Sequence, residues 1–219
     1  CLDAIESKMP IEQLVFSDGF DPVKRGEMTK MVPSDTDVIC VTDAMFRQLA
    51  ITKNPQGVAC AFRRPQPVRL SDAAASGIRY LVLENVQDPG NVGTMVRTAD
   101  AMGFDGIVVL PGTADPFGPK AIRSAMGSTF HLPLFVGTDI AEAVRWLHTA
   151  GCRVYAGHLD GTKLEQKGLV VPGAVIIGNE GAGLTEEATR LADSLVRIPM
   201  RGRAESLNAA CAAAILCYS

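Results

Sequence analysis

Three stretches of this chain combine glycines with side chains able to orient or polarise a ligand. The first is Asp88-Pro89-Gly90-Asn91, which leads on to Arg97. The second is Gly178-Asn179-Glu180-Gly181-Ala182-Gly183. The third is Pro199-Met200-Arg201-Gly202-Arg203, followed by Ser206-Leu207-Asn208. Together they offer amides, a carboxylate, guanidinium groups, a hydroxyl and backbone groups that glycine allows close to a ligand. Other chemistries lack their spacing. The cysteines at 1, 40, 60, 152, 211 and 217 form no CxxC and have no nearby histidine at zinc spacing. His131, His148 and His158 fit no triad. GNEGAG is not the dinucleotide GxGxxG and lacks the Lys-Ser/Thr of a phosphate-binding loop.

Taken singly, each residue also has a bland role. Asn91 is placed to cap a helix, and Arg97 to lie along its surface. Ser206 and Asn208 read as caps at the start of the last helix. Glu180 reads as a loop-ordering carboxylate, and GNEGAG as a tight strand–helix turn. Lys120, Arg123, Arg201 and Arg203 flank the same loops and are able to meet phosphates or simply water.

The elements around these loops alternate. Strands are expected at 80–83, 106–110, 152–156, 174–177 and 195–198. Helices are expected after Asn91, Asp139 and Thr185 and from Ser206 to the chain end. That order predicts an α/β fold with a parallel sheet covered by helices on both faces. In such sheets ligands gather beyond the carboxyl ends of the strands, where all three stretches lie. The first seventy residues carry strands at 11–16, 38–41 and 57–62 and a short helix behind Asp43. Arg63-Arg64-Pro65-Gln66-Pro67 interrupts the pattern as a linker. The expected domains are residues 1–70 and 76–219.

Composition fits this picture. The chain has 219 residues, 47% hydrophobic and 21% charged, which is enough apolar surface for a core. The net charge of −3 argues against a surface coated in basic charge but leaves room for a local basic site. No stretch is apolar enough to span a bilayer, which needs about 20 residues. The cysteine pattern is that of a reduced, cytoplasmic protein, with Cys211 and Cys217 as small core residues. The start at Cys1 reads as a cut within a longer chain.

In combination, DPGNVGTMVRTADAMGF, VIIGNEGAGL and RIPMRGRAESLNAACAAAI resemble the three motifs of the SpoU (TrmH-like) family of SPOUT RNA methyltransferases. The stretch before them is similar, more loosely, to the L30e-like RNA-binding domain that often precedes that catalytic domain. The resemblance implies a deep trefoil knot, a homodimer formed through the C-terminal domain, and S-adenosylmethionine as cofactor. It places cofactor contacts at Gly178, Glu180, Ile198, Met200 and Leu207. The implied catalytic residues are Asn91, Arg97, Ser206 and Asn208. The implied reaction is methyl transfer to a ribose 2′-hydroxyl of structured RNA, with ribosomal RNA favoured over transfer RNA because of the L30e-like extension. A guanidinium is a poor base, so Arg97 is expected to grip a phosphate and stabilise developing alkoxide charge. A non-catalytic RNA-binding module on the same fold, and an unrelated nucleotide-binding enzyme, are the competing readings.

Overall fold

The computed structural model describes residues 1–164 and 168–219. The chain divides into two compact units, Cys1–Pro65 and Gln66–Ser219.

In the first unit, α1 (Leu2–Glu6) precedes β1 (Ile11–Ser17), α2 (Pro22–Met31), β2 (Asp37–Val41), α3 (Asp43–Leu49) and β3 (Val58–Phe62). β1 lies in the middle of the sheet, parallel to β2 and antiparallel to β3. Ile11, Leu14 and Phe16 point from β1 into a core that also takes in Ala4, Ile5, Met28 and Phe46. The polar run from Lys24 to Lys30 is helical, although only Met28 of α2 is buried. What starts this helix is local. Asp21 accepts hydrogen bonds from the N–H groups of Val23 and Lys24, and Pro22 sits in the first turn, where its missing N–H costs nothing. The cap of α3 is Thr42 rather than Asp43.

The second unit begins with β4 (Val68–Arg69) and continues through β5 (Arg79–Leu83), α4 (Pro89–Ala101), β6 (Gly106–Val109), α5 (Pro119–Ala125), β7 (Leu134–Val136) and α6 (Ile140–Thr149). It ends with β8 (Arg153–Lys163), β9 (Gly173–Ile177), α7 (Glu186–Leu191), β10 (Ser194–Arg197) and α8 (Ala209–Tyr218). Among the described residues the strands form one sheet in the order β10-β8-β9-β5-β6-β7-β4, and every pairing is parallel.

The sheet is buried on both faces, which is why its middle strands are apolar throughout rather than alternating. In β5, Leu81 and Leu83 join Val92, Val96 and Leu216 in one core, while Tyr80 and Val82 join Trp146 and Leu147 in the other. In β9, Val175 and Ile177 face the first core and Ala174 and Ile176 the second. α4 and α8 cover one face, and α6 and α7 the other. From β5 the chain runs to β6 and β7 on one side, whereas β8, β9 and β10 lie on the other. The β5–β9 pair is therefore the point where the winding reverses and a crevice opens at the strands' carboxyl ends.

In the second unit, two helix starts differ from the sequence expectation. α4 begins at Pro89 with Asp88 as its cap, which places Asn91 inside the first turn. Asp88 accepts the N–H of Gly90, and proline again fits the first position. α8 begins at Ala209 with Asn208 as cap, so Ser206 precedes the helix. Asn208 takes the N–H groups of both Ala210 and Cys211. α8 turns Cys217 into the core but leaves Cys211 exposed, because its buried face runs through Ala210, Ala213, Leu216 and Cys217.

Candidate active site

The carboxyl ends of β5 and β9 are paired neighbours, Leu83 opposite Ile177. Each strand opens into one of the glycine-rich stretches, so two of the three lie side by side. The Gly178–Leu184 loop folds back on itself through paired backbone hydrogen bonds between Asn179 and Gly183, of 2.9 and 3.0 Å. Gly183 has φ +73°, and a Cβ on Gly178 would lie 2.5 Å from the carbonyl carbon of Gly183. The turn is therefore tight enough to require glycine at both positions.

Three side chains stitch this loop to the segment after β5. Asn179 Nδ2 donates to the Asn85 carbonyl at 2.9 Å, while its Oδ1 receives the N–H groups of Gly181 and Ala182. Glu180 receives the N–H of Gln87 at 3.1 Å, the N–H of Asp88 at 3.0 Å and Asn91 Nδ2 at 2.9 Å. Glu84, buried at the end of β5, receives the N–H and the hydroxyl of Thr185. Asn208 Nδ2 then donates to Asn91 Oδ1 at 3.1 Å. The third stretch thus joins the other two through a continuous chain, Asn208 to Asn91 to Glu180.

This chain fixes the amide orientations. Asn91 gives its N–H to a carboxylate and takes an N–H from Asn208. Burial works against ionisation of Glu180, but the bonds from Asn91, Asp88 and Gln87 outweigh it and hold its carboxyl below the ordinary value. Asp88 is also held low, first by Lys120, whose Nζ lies 2.8 Å away, and then by the N–H of Gly90. Lys120 is therefore engaged by the cap of α4.

The structure brings Asn91, Glu180 and Asn208 into direct contact. Gly178 is two residues from Glu180, and Ser206 and Leu207 immediately precede Asn208. Arg97 lies six residues past Asn91 on α4, about 9 Å along the axis. Its guanidinium is exposed and makes no hydrogen bond or ion pair among the described residues. Arg123, Arg201 and Arg203 are exposed in the same way. Ile198 and Met200 follow β10 and are half-buried. Sequence reasoning missed the roles of Glu84, Asn179 and Lys120. Glu84 alone carried a signal, a charge set directly after the apolar run Tyr80–Leu83.

The three stretches together offer a ligand backbone groups, amides and apolar side chains. Gly178 admits no side chain, Ile198 packs against the core that holds Ile177, Met200 is half-buried, and Leu207 is 39% exposed. The family model described as SpoU rRNA Methylase family matches residues 79–218. The 23S rRNA (guanosine(2553)-2′-O)-methyltransferase RlmP of Bacillus subtilis is 36% identical, over 98% of this chain and 86% of its own. The crystal structure of an AdoMet-bound rRNA methyltransferase from Sinorhizobium meliloti superposes with a TM-score of 0.85 at 34% identity, over 99% of this chain and 82% of that one. The SpoU methyltransferase AviRb from Streptomyces viridochromogenes, in complex with AdoMet, gives 0.82 at 28% identity, over 99% of this chain and 84% of that one.

Proposed function

Because the chain belongs to the SpoU rRNA methylase family, we propose that it is an S-adenosylmethionine-dependent methyltransferase acting on a ribose 2′-hydroxyl of ribosomal RNA. The observation that carries this reading is the hydrogen-bonded chain Asn208–Asn91–Glu180, which ties three distant stretches into one site. When bound, the cofactor supplies a methyl group already activated by its sulfonium. The protein's task is then alignment and charge stabilisation.

Gly178, Ile198, Met200 and Leu207 hold the cofactor, through backbone groups and apolar contact. Glu180 serves by ordering the start of α4, since both its oxygens are taken up there. Asn91 and Asn208 fix the floor against which the ribose lies. Ser206 is exposed and makes no hydrogen bond among the described residues, which leaves its hydroxyl able to meet the ribose. Arg97 grips an RNA phosphate and stabilises the negative charge that develops on the ribose oxygen as its proton passes to water. A free guanidinium cannot serve as the base, but its fixed fork of donors suits both anions.

Four further features complete the proposal. The second unit carries the family's trefoil knot, and residues before Pro65 form an L30e-like RNA-binding domain, in keeping with the mixed β2-β1-β3 sheet. The protein acts as a homodimer through its C-terminal domain. α8 supports this, since Cys211, Ile215 and Tyr218 are exposed on a helix without a charged residue. The protein works in the cytoplasm. Its cysteines are free, and none of the described helices is long and apolar enough to cross a membrane.

Mapping 2′-O-methyl positions in ribosomal RNA from cells with and without the protein tests the function. One ribose losing its methyl group is the expected result. An unchanged map, with a methyl missing from a base instead, contradicts it.

A further inference from the structure

Glu84 is a carboxylate that the proposed reaction leaves without a role. It is only 6% exposed, at the end of a strand buried on both faces. A carboxyl group buried there needs hydrogen-bond partners for its oxygens. Among the described residues both of its donors belong to Thr185, whose N–H lies 3.0 Å and whose hydroxyl lies 2.7 Å from the two Glu84 oxygens. The backbone N–H of Glu84 donates in turn to the carbonyl of Ile177 at 2.9 Å. Ile177 is the last residue of β9, and Thr185 is the first residue after Leu184. One residue, directly after the neighbouring strand, thus holds both ends of the Gly178–Leu184 loop.

We propose that Glu84 is a positioning residue that clasps this loop and sets the shape in which it receives S-adenosylmethionine, an inference that rests on the assignment of the loop to the cofactor. The donor pattern explains why a carboxylate stands there. Thr185 Oγ1 already accepts the N–H of Ala188 at 3.1 Å, so its proton is directed at Glu84. Thr185 therefore presents two donors. A carboxylate accepts both, whereas a glutamine amide offers one oxygen and turns an N–H against the other donor. Aspartate is one methylene too short to keep the same reach.

The test titrates S-adenosylmethionine into wild type, Glu84→Gln, Thr185→Val, Thr185→Ser and Gly178→Ala by calorimetry, and follows amide hydrogen exchange in the cofactor-free proteins. Glu84→Gln and Thr185→Val are expected to raise Kd about tenfold, the scale of one charge-assisted hydrogen bond, and to raise KM for the cofactor in parallel while kcat at saturation changes less than about twofold. Thr185→Ser keeps the hydroxyl and is expected to bind like wild type. Without cofactor, the amides of Asn179 and Gly183 exchange faster in Glu84→Gln, while those of β5 and β9 keep their protection.

An unchanged Kd in both Glu84→Gln and Thr185→Val overturns the clasp. So does a parallel loss of kcat, RNA affinity and melting temperature, which is the mark of a merely structural role. Gly178→Ala separates the two claims, because its Cβ must deform the loop. If it weakens cofactor binding and Glu84→Gln does not, the clasp alone is wrong. If it leaves cofactor binding intact, the loop is not the cofactor site, and the clasp falls with that assignment.

Discussion

Asn91 has both ends of its amide committed, donating to Glu180 and accepting from Asn208. Asn91→Asp removes the donor and sets a second carboxylate against Glu180, so the cluster must open or take up a proton. Methyl transfer is expected to fall about a hundredfold, the loss typical of one polar group fixed at a reacting centre, as a single-turnover rate measures. Arg97→Lys separates grip from chemistry in another way. Cofactor affinity by calorimetry is expected to stay near wild type while turnover drops by about two orders of magnitude, since a point charge replaces a planar fork. Near-wild-type methylation by Arg97→Lys contradicts the assigned role. Glu180 carries a pH signature. Its carboxyl sits below the ordinary 4.5, so between those values the unfolded chain binds a proton that the folded chain does not. Its contribution to stability is complete above pH 4.5 and is lost as pH falls through the lower, folded value. Glu180→Gln is therefore expected to flatten part of the acid limb of a melting-temperature profile. These residues were visible in the sequence, but their partners were not. Asn91 and Glu180 are 89 positions apart and Asn91 and Asn208 are 117 apart, and no local pattern encodes a contact at that separation.

Elements explain which signals were readable. The middle strands of the second unit announced themselves as short apolar runs, because burial on both faces removes any alternation. α2 and α5 were missed, since neither has a broad apolar face, yet both begin at a proline behind a turn residue, Asp21-Pro22 and Gly118-Pro119. The cap of α4 moved from Asn91 to Asp88, where Asx and proline signals lie close together, while of the two caps read for α8 it is Asn208 that serves, and only the hydrogen bonds show which residue caps. Packing between elements gives a contrasting pair of glycine predictions. A Cβ on Gly93 of α4 would lie 2.1 Å from the carbonyl oxygen of Ala121 on α5. Gly93→Ala must push the two helices apart and is expected to cost about 1–3 kcal/mol in a denaturant titration. Gly26 of α2 has nothing within 4 Å of its missing Cβ. Gly26→Ala is expected to stabilise by about 0.5–1 kcal/mol, the helix preference of alanine over glycine.

At the scale of the molecule, the winding of the sheet chooses the site. β5 and β9 sit where the strand order reverses, and the side chains that tie the three stretches together cluster at their carboxyl ends. The sequence carried the strand–helix alternation and the loop compositions. It did not carry the insertion of β9 between β8 and β5, because neighbour choice in a parallel sheet depends on packing across the whole layer. The measurement that bears most directly on the central claim uses S-adenosylmethionine with a labelled methyl group and ribosomal RNA, followed by alkaline hydrolysis. A 2′-O-methyl blocks cleavage at its own linkage. The label is expected in an alkali-resistant dinucleotide, and Asn91→Ala is expected to abolish it. Label recovered in mononucleotides, marking a methylated base, or equal label from Asn91→Ala, would contradict a site built to present a ribose oxygen.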